Sequence, residues 1–217
     1  MTDVVIAIAT YNEAGNIAEL LGQLSDYEVI LVDSHSPDGT AAIARRFENV
    51  TVIDASRGIA SSYLKALELA LETDCEFVVQ MDAGMTHDPA DIPLLIYDCR
   101  RWSRDLTIGS RQFEINSYRS LISVFAAWLM RRKGILVSDA TSGFRCWRTS
   151  ALEILFSRKL NGEWLISEGF AFQFELLFYA HRAGVRIGEV PIEYRLTNSS
   201  FKLPMIWEAI RVYRGLK

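Results

Sequence analysis

The stretch VVQMDAGMTHDP, residues 78–89, leads an apolar run into a single carboxylate. Asp82 ends the run, and the next two alternate positions are Gly84 and Thr86. A carboxylate at the end of a buried strand suits a charged ligand, and hard divalent cations take oxygen ligands of this kind. Asp82 is therefore a candidate metal-binding residue, with no second acid at the adjacent alternate positions.

Polar residues also follow two earlier apolar runs. Thr10, Asn12 and Glu13 surround the end of the first run, and Asp33 ends the second. Hydroxyl, amide and carboxylate groups suit the hydroxyls of a ribose and the N–H groups of a base. A second interpretation is open for Asn12 and Glu13, which could instead cap the helix expected directly after them.

The elements that must position these residues alternate along the first half of the chain. Short β-branched runs typical of strands are separated by segments with apolar residues at three- and four-residue spacing, typical of helices. The predicted strands are 4–10, 28–33, 50–54, 76–82 and 105–110. Such a pattern predicts an α/β fold with a predominantly parallel central sheet and helices on both faces. These sheets bind ligands beyond the carboxyl ends of their strands, where the polar residues lie.

The second half of the chain is less regular. Its pattern predicts an apolar helix at 118–133, a turn at 139–145, a helix near 170–183, a strand at 186–194 and a final helix at 204–214. No linker-like stretch divides the 217 residues, so we expect one domain over 1–217.

Composition narrows the classes of function. The formal net charge of −4 provides no global basic field for nucleic acid. The three cysteines are widely spaced, which disfavours a disulfide framework or a thiolate zinc site and favours a reducing, cytoplasmic setting. No uncharged run approaches the roughly 20 residues that span a bilayer. A G-x-G-x-x-G does not follow the first strand and no P-loop motif occurs, so nicotinamide dehydrogenases and P-loop NTPases are disfavoured.

Eight segments of the chain, taken in order, form a recognisable series of motifs. They are AIATYNEAGNIAELL, VILVDSHSPDGTAAIA, RGIASSYLKALELAL, FVVQMDAGMTHDPADIPLLI, IGSR, DATSGFRCWR, EGFAFQFELLFYAHRAGVRIGEVPIEYR and NSSFKL. Together they resemble the motifs of inverting glycosyltransferases with a GT-A fold, and most of all the dolichol- or polyprenyl-phosphate mannosyl- and glucosyltransferases. The resemblance implies a Rossmann-like domain with a nucleotide-sugar-binding half over 1–110 and an acceptor-binding half over 111–217.

The resemblance assigns the strand-end residues to the donor. It implies that Thr10, Asn12 and Glu13 hold the nucleotide and that Asp33 recognises the base or ribose. Arg57 matches a basic residue that faces a phosphate, although a solvated arginine is the alternative.

A cationic loop near the C-terminus is implied to close over the diphosphate. Arg195 and Lys202 match it, but Asn198 stands where the family has glycine and Phe201 shifts the register of the lysine. Arg195 is therefore the stronger candidate of the two.

The family pattern also has Asp-x-Asp at Asp82, holding a Mg²⁺ or Mn²⁺ ion that neutralises the diphosphate. Here the second position is Gly84, and the oxygen ligand often found two residues further on is Thr86. Since Mg²⁺ accepts one or two carboxylates plus phosphates and waters, we expect a weak metal site that needs the diphosphate.

The resemblance places the loop DATSGFR against the sugar and the diphosphate. Asp139 and Arg145 in this loop are, with Asp82, the predicted catalytic residues. Arg145 would stabilise the departing diphosphate. An acceptor phosphate is already an anion and needs no general base, so Asp139 would orient the sugar or neighbouring side chains.

The acceptor phosphate is implied to lie against Arg111, Arg119 and Ser123. Arg119 and Ser123 are four residues apart, so they share one face of a helix. Guanidinium groups suit this task because they fork onto phosphate oxygens, and ordinary surface ion pairs are the alternative for each arginine.

The helix that follows contains Phe125, Trp128, Leu129 and Met130 and ends in the basic run 131–133. Two interpretations are open for this stripe. It could rest on an anionic membrane surface where a prenyl chain enters, or it could pack into the core.

The predicted function is transfer of a hexose, with inversion, from a GDP- or UDP-sugar to a polyprenyl or dolichyl phosphate. Gly84 and Thr86 leave the metal motif with one carboxylate. This motivates a rival prediction, a non-catalytic glycosyltransferase-like protein that binds nucleotide or a partner. A transferase with a saccharide acceptor is a third possibility that shares the donor site.

Overall fold

The computed structural model describes residues 3–56, 58–111, 118–160, 167, 169, 171–194 and 204–216. Its strands are β1 (Val4–Thr10), β2 (Glu28–Asp33), β3 (Val50–Asp54), β4 (Phe77–Asp82), β5 (Leu106–Arg111), β6 (Arg145–Arg148) and β7 (Ile187–Ile192). Its α-helices are α1 (Ile17–Gln23), α2 (Thr40–Ala44), α3 (Ile59–Ala70), α4 (Ile92–Arg101), α5 (Tyr118–Arg131), α6 (Thr149–Leu160), α7 (Phe172–Arg182) and α8 (Pro204–Gly215).

The strands form one sheet in the order β3-β2-β1-β4-β6-β5-β7. β6 runs antiparallel to both of its neighbours, β4 and β5, and the other pairings are parallel. The expectation of an α/β fold with a predominantly parallel sheet is confirmed. Within the described residues, no helix is long and apolar enough to cross a membrane.

Both faces of the sheet are buried, which explains why its strands carry apolar residues without alternation. On β1, Val5 and Ala7 face a layer that includes α3, α5, α6 and α7. Ile6 and Ile8, on the opposite face, pack with α1, α2 and α4. Each such side chain contributes about 1.5–3 kcal/mol when fully buried, so the central strand is anchored from both sides.

Two elements escaped the sequence prediction. β6 begins at Arg145, inside the segment predicted as a turn, and α6 follows it directly. β6 has only four residues, too few to show a period, and it is a strand because it fills the gap between β4 and β5. The other predicted elements are present, with ends shifted by a few residues at most.

Neighbouring leucines of α4 test the burial that supports this arrangement. Leu95 is fully buried between α4 and the sheet, whereas Leu94 is 40% exposed. We expect Leu95→Ala to lower the free energy of unfolding by about 2–5 kcal/mol, because it leaves a cavity. Leu94→Ala should change it by roughly 0.5 kcal/mol or less, as surface substitutions do. Urea unfolding of both variants would show it, and equal losses would contradict the assigned packing.

Candidate active site

The pairing register brings the polar strand ends to one edge of the sheet. In the parallel ladders, Ala9 of β1 is opposite Asp82 of β4, and Thr10 is opposite Asp33 of β2. The strand order turns back at β1, since β2 and β3 lie on one side of it and β4 on the other. A ligand crevice is expected at such a point.

Asp33 organises the loop that follows β2. Its carboxylate accepts hydrogen bonds from Thr10 Oγ1 at 2.8 Å, from Ser36 Oγ at 2.6 Å and from the Ser36 backbone N–H at 2.7 Å. The residue is only 1% exposed. The Asp33 carboxylate thus holds the loop after β2 in place through hydrogen bonds inside the protein. Its contact with a base or ribose stays a prediction.

The segment after β1 is held by the segment after β2. Asn12 has a φ of 60°, and its backbone N–H donates to Ser36 Oγ at 2.9 Å. The Glu13 N–H donates to Thr40 Oγ1 at 2.9 Å. α1 begins at Ile17, whose N–H donates to the Glu13 carbonyl oxygen at 2.9 Å, so Glu13 supports the helix start with its main chain and no side chain caps the helix. Both residues stay candidates for nucleotide binding.

Asp82 is partly exposed at the edge of the sheet, and its position is secured from two sides. The fully buried Tyr63 hydroxyl donates to Asp82 Oδ1 and to the Met81 carbonyl oxygen, the latter at 3.1 Å. On the other side, the Asp82 backbone N–H donates to His87 Nδ1 at 3.3 Å. Burial lowers the pKa of His87, so its imidazole is neutral at pH 7.

A divalent cation at Asp82 is implied by the sequence resemblance. Among the described residues, no three His, Cys, Asp or Glu side chains group in a way that could hold one. The buried amide of Gln173 lies beside Asp82: a Cβ placed on Gly143 would lie 2.8 Å from Asp82 Oδ1 and 3.4 Å from Gln173 Nε2. The Gln173 side-chain carbonyl oxygen is buried and has no hydrogen-bond partner within the described residues. Hard oxygen donors of this kind fit Mg²⁺ or Mn²⁺ when a diphosphate and waters complete the coordination.

The predicted acceptor residues Arg111 and Ser123 lie together at the end of β5. Arg111 forms a two-pronged ion pair with Asp139, with Nε to Oδ2 at 2.6 Å and Nη2 to Oδ1 at 2.7 Å. Its Nη2 also donates to Thr141 Oγ1 at 2.7 Å and lies 3.5 Å from Ser123 Oγ. The Arg111 guanidinium stands over the Tyr194 ring, 5.2 Å from its centre.

Burial and pairing act in opposite directions on this ion pair. Burial alone would raise the pKa of the Asp139 carboxyl, but the hydrogen bonds and charge of Arg111 outweigh it and lower that pKa. Burial likewise opposes the charge of Arg111, and Asp139 outweighs it to raise the Arg111 pKa. Both groups are therefore charged at pH 7. The Asp139 side chain is fully buried, so it orients Arg111 and Thr141, and its contact with a sugar stays a prediction.

The Arg145 side chain is enclosed by its own loop, residues 139–145. Its Nε donates to the Ser142 carbonyl oxygen at 2.9 Å and its Nη2 to the Ala140 carbonyl oxygen at 3.1 Å. Burial lowers the Arg145 pKa to about 9, which still leaves it cationic at pH 7. The side chain is fully buried, an observation that argues against direct contact with a diphosphate and for anchoring of the loop.

Several predicted residues lie outside the described residues. They are Arg57, Arg195 and Lys202, together with the side chain of Arg119. Tyr63, Thr141 and Gln173 are site residues that sequence reasoning did not single out. Tyr63 and Gln173 sit on α3 and α7 among apolar residues, where nothing local marks them as polar groups that reach a strand end.

Comparison with known proteins assigns the chain to a family. Residues 5–154 match the model of Glycosyl transferase family 2, so the chain belongs to that family and is a glycosyltransferase. The chain matches the family although Gly84 stands where the metal motif has its second aspartate.

Two curated relatives and one solved structure narrow the comparison. The chain is 33% identical to the undecaprenyl-phosphate mannosyltransferase of Micrococcus luteus, over 95% of this chain and 90% of that protein. It is 27% identical to the polyprenol monophosphomannose synthase of Mycolicibacterium smegmatis, over 88% of this chain and 76% of that protein. Its fold is similar to that of the glucosyl-3-phosphoglycerate synthase of Mycobacterium tuberculosis, crystallised with Mn²⁺ and UDP-glucose. That similarity has a TM-score of 0.73 at 18% identity and covers 97% of this chain and 76% of that one.

The buried ion pair makes a pH-dependent contribution to stability that can be measured. The pKa of Asp139 is lowered in the folded state, so the pair's stabilisation is fully present above the ordinary Asp pKa of about 3.9. It is lost as the pH falls through the lowered folded-state value. We expect Asp139→Asn to cost about 3–5 kcal/mol at pH 7, because Arg111 is left buried without its counter-charge. The difference from the unmodified protein should shrink below about pH 4.

An exposed pair supplies the control. Asp54 pairs with Arg45 at 2.6 Å, with both side chains about half exposed. Asp54→Asn should cost only about 0–1 kcal/mol. Urea unfolding of both variants at pH 7 and pH 3 provides the comparison, and an Asp139→Asn penalty as small as that of Asp54→Asn would contradict the assignment.

Proposed function

We propose that this chain transfers a hexose, with inversion, from a nucleotide-diphospho-sugar to a polyprenyl phosphate. The observation that carries the acceptor assignment is the cradle formed by Arg111, Ser123 and Thr141, in which a guanidinium is held in place by Asp139. A phosphate monoester suits this cradle because the exposed part of Arg111 offers charge-assisted hydrogen bonds and the two hydroxyls offer further donors. Both curated relatives are named for the joining of mannose to a polyprenyl phosphate, which supports the same acceptor and favours mannose as the sugar.

The donor would lie along the edge of the sheet formed by β1, β2 and β4. Its nucleotide would contact Thr10, Asn12, Glu13 and Asp33, and its diphosphate would face Asp82. A divalent cation bound there would neutralise charge on the leaving diphosphate. The transfer assay distinguishes a GDP-sugar donor from a UDP-sugar donor.

The reaction depends on how the acceptor phosphate and the sugar are positioned, and it needs no proton transfer to a general base. The acceptor phosphate is ionised at pH 7, so its oxygen can attack without a general base. Asp139 cannot supply one, since it is fully buried and its pKa is lowered by Arg111. Rate enhancement would come from holding the phosphate oxygen in line with the sugar and from cationic groups that stabilise the departing diphosphate.

A transfer assay tests the proposed function. The unmodified protein is incubated with radiolabelled GDP-mannose or UDP-glucose, with an undecaprenyl or dolichyl phosphate, and with Mg²⁺ or Mn²⁺. We expect label in the lipid fraction with one of the donors. Ser123→Ala should raise the KM for the lipid phosphate roughly fivefold, the effect of losing about 1 kcal/mol of hydrogen bonding. The exposed Ser157→Ala serves as control. No transfer with any donor, acceptor or cation would sink the proposal and favour the non-catalytic alternative.

We also propose that the enzyme meets its lipid acceptor at a membrane surface through α5. Some apolar residues of this helix pack into the core, and others are exposed. Leu129 and Met130 are buried in the core, whereas Phe125 and Trp128 are 44% and 47% exposed. The two exposed rings stack with centres 5.8 Å apart, and the Arg132 guanidinium lies 4.4 Å from the centre of the Trp128 ring.

Further features extend this surface. Val124, on the same helix, is 60% exposed, and Leu136, in the segment after the helix, is 82% exposed. Arg131 and Arg132 are exposed and supply positive charge in a chain whose net charge is −4, which suits anionic headgroups. Lys133, by contrast, donates to the Leu216 carbonyl oxygen at 2.6 Å. Ser123 of the acceptor cradle directly precedes Val124, so a phosphate bound there lies close to the apolar surface through which its prenyl chain would extend.

Co-sedimentation with anionic vesicles of phosphatidylglycerol and phosphatidylcholine tests the membrane contact. Trp128→Ala should weaken binding roughly tenfold, because it removes an aromatic anchor and its cation–π partner. Trp102→Ala is the matched control, since Trp102 is 61% exposed and has Arg101 at 5.0 Å from its ring centre. An equal effect of both substitutions, or no binding by the unmodified protein, would contradict a docking surface on α5.

A further inference from the structure

Gly84 leaves a space next to Asp82 that a neighbouring carboxylate approaches. A Cβ placed on Gly84 would lie 3.5 Å from Glu13 Oε1 and 3.8 Å from Glu13 Oε2. A side chain from position 84 would thus meet the Glu13 carboxylate at its first atom. Glu13 therefore places a negative charge beside position 84, where the family motif has an aspartate.

The surroundings of Glu13 hold it at this place. Its Oε2 accepts a hydrogen bond from Asn16 Nδ2 at 2.9 Å, and its backbone N–H is bound to Thr40 Oγ1 at 2.9 Å. The carboxylates of Glu13 and Asp82 repel each other, and a cation held by both would offset that repulsion.

An independent observation at the same place is a buried amide whose oxygen is not hydrogen-bonded within the described part of the chain. Gln173 is 3% exposed, and its side-chain carbonyl oxygen has no hydrogen-bond partner within the described part of the chain. A Cβ placed on Gly143 would lie 2.8 Å from Asp82 Oδ1 and 3.4 Å from Gln173 Nε2, so the two side chains converge over that glycine. A buried acceptor left without a donor is uncommon in native proteins, and a cation would satisfy it.

We propose that Glu13 supplies the second carboxylate of the divalent-cation site, in place of the acid that Gly84 does not provide. Asp82 is the first carboxylate, and the buried amide of Gln173 lies beside it. The two acids come from different strand ends, β1 and β4, and not from one Asp-x-Asp segment. Mg²⁺ or Mn²⁺ then binds through two carboxylates and the donor diphosphate, which is the number of acids such ions commonly use.

Mn²⁺ binding to the full chain tests this assignment without any transfer reaction. The free ion is measured by electron paramagnetic resonance at saturating UDP or GDP, whichever binds. We expect Glu13→Gln, which keeps size and the bond from Asn16, to weaken Mn²⁺ binding by roughly tenfold or more. Gly84→Asp added to Glu13→Gln should return the affinity to within about threefold of the unmodified protein, because it restores a carboxylate at the same place. Glu19→Gln, at an exposed position of α1, is the control.

Each other outcome overturns the proposal. Unchanged Mn²⁺ binding in Glu13→Gln would show that Glu13 is not a ligand. Weakened binding that Gly84→Asp does not restore would assign Glu13 to the nucleotide alone. Absence of Mn²⁺ binding by the unmodified protein with nucleotide would remove the site altogether. If Glu13→Gln fails to give a cooperative thermal transition, Glu13→Asp tests the same point, since the shorter acid should weaken the ion and leave the backbone bonds intact.

The inference rests on the proposed function only for the diphosphate that completes the site. The two can fail separately, because the binding measurement contains no acceptor. Normal Mn²⁺ behaviour with no sugar transfer would count against the proposed function and leave the cation site standing.

Discussion

β1 is hydrogen-bonded in parallel to β2 on one side and to β4 on the other, and the position of the polar groups follows from that double pairing. The register places Thr10 beside Asp33 and Ala9 beside Asp82, so side chains separated by many residues in sequence emerge at one edge. A slip of one residue would turn each apolar side chain of β1 to the wrong buried face, which both cores oppose. The site is thus held in register by the same packing that holds the domain together.

The proposed acceptor site is joined to the proposed donor site by a continuous set of packed rings. His87, whose ring lies beside Asp82, stacks on Phe144 with ring centres 4.9 Å apart. It also forms a backbone bridge with Tyr194, and the Tyr194 ring lies under the Arg111 guanidinium. β6 makes this possible, because the strand that follows Phe144 is inserted antiparallel between β4 and β5. The reacting groups can therefore be kept at a fixed separation by side chains that do no chemistry themselves.

Most of the fold was predictable because its signal is local. Runs rich in apolar and β-branched residues predict strands, so β1, β2 and β3 were predicted with their observed ends. The polar strand ends could be named for the same reason. Tyr63 and Gln173 could not, since they reach Asp82 from helices only through tertiary packing. The pairing of Arg111 with Asp139 joins residues 28 positions apart and also has no local signature. The short β6 shows that a segment of four residues takes its structure from its neighbours.

α5 carries Ser123 towards the buried ion pair and Phe125 and Trp128 towards the outside. A helix is rigid over two turns, so these two faces have a fixed depth relative to each other. An enzyme seated on a bilayer by the outer face would find its acceptor by diffusion in two dimensions. Its turnover would then follow the surface density of the lipid phosphate and not its amount per volume. The prenyl chain could remain among the lipids throughout, with only the phosphate lifted to the height of Ser123.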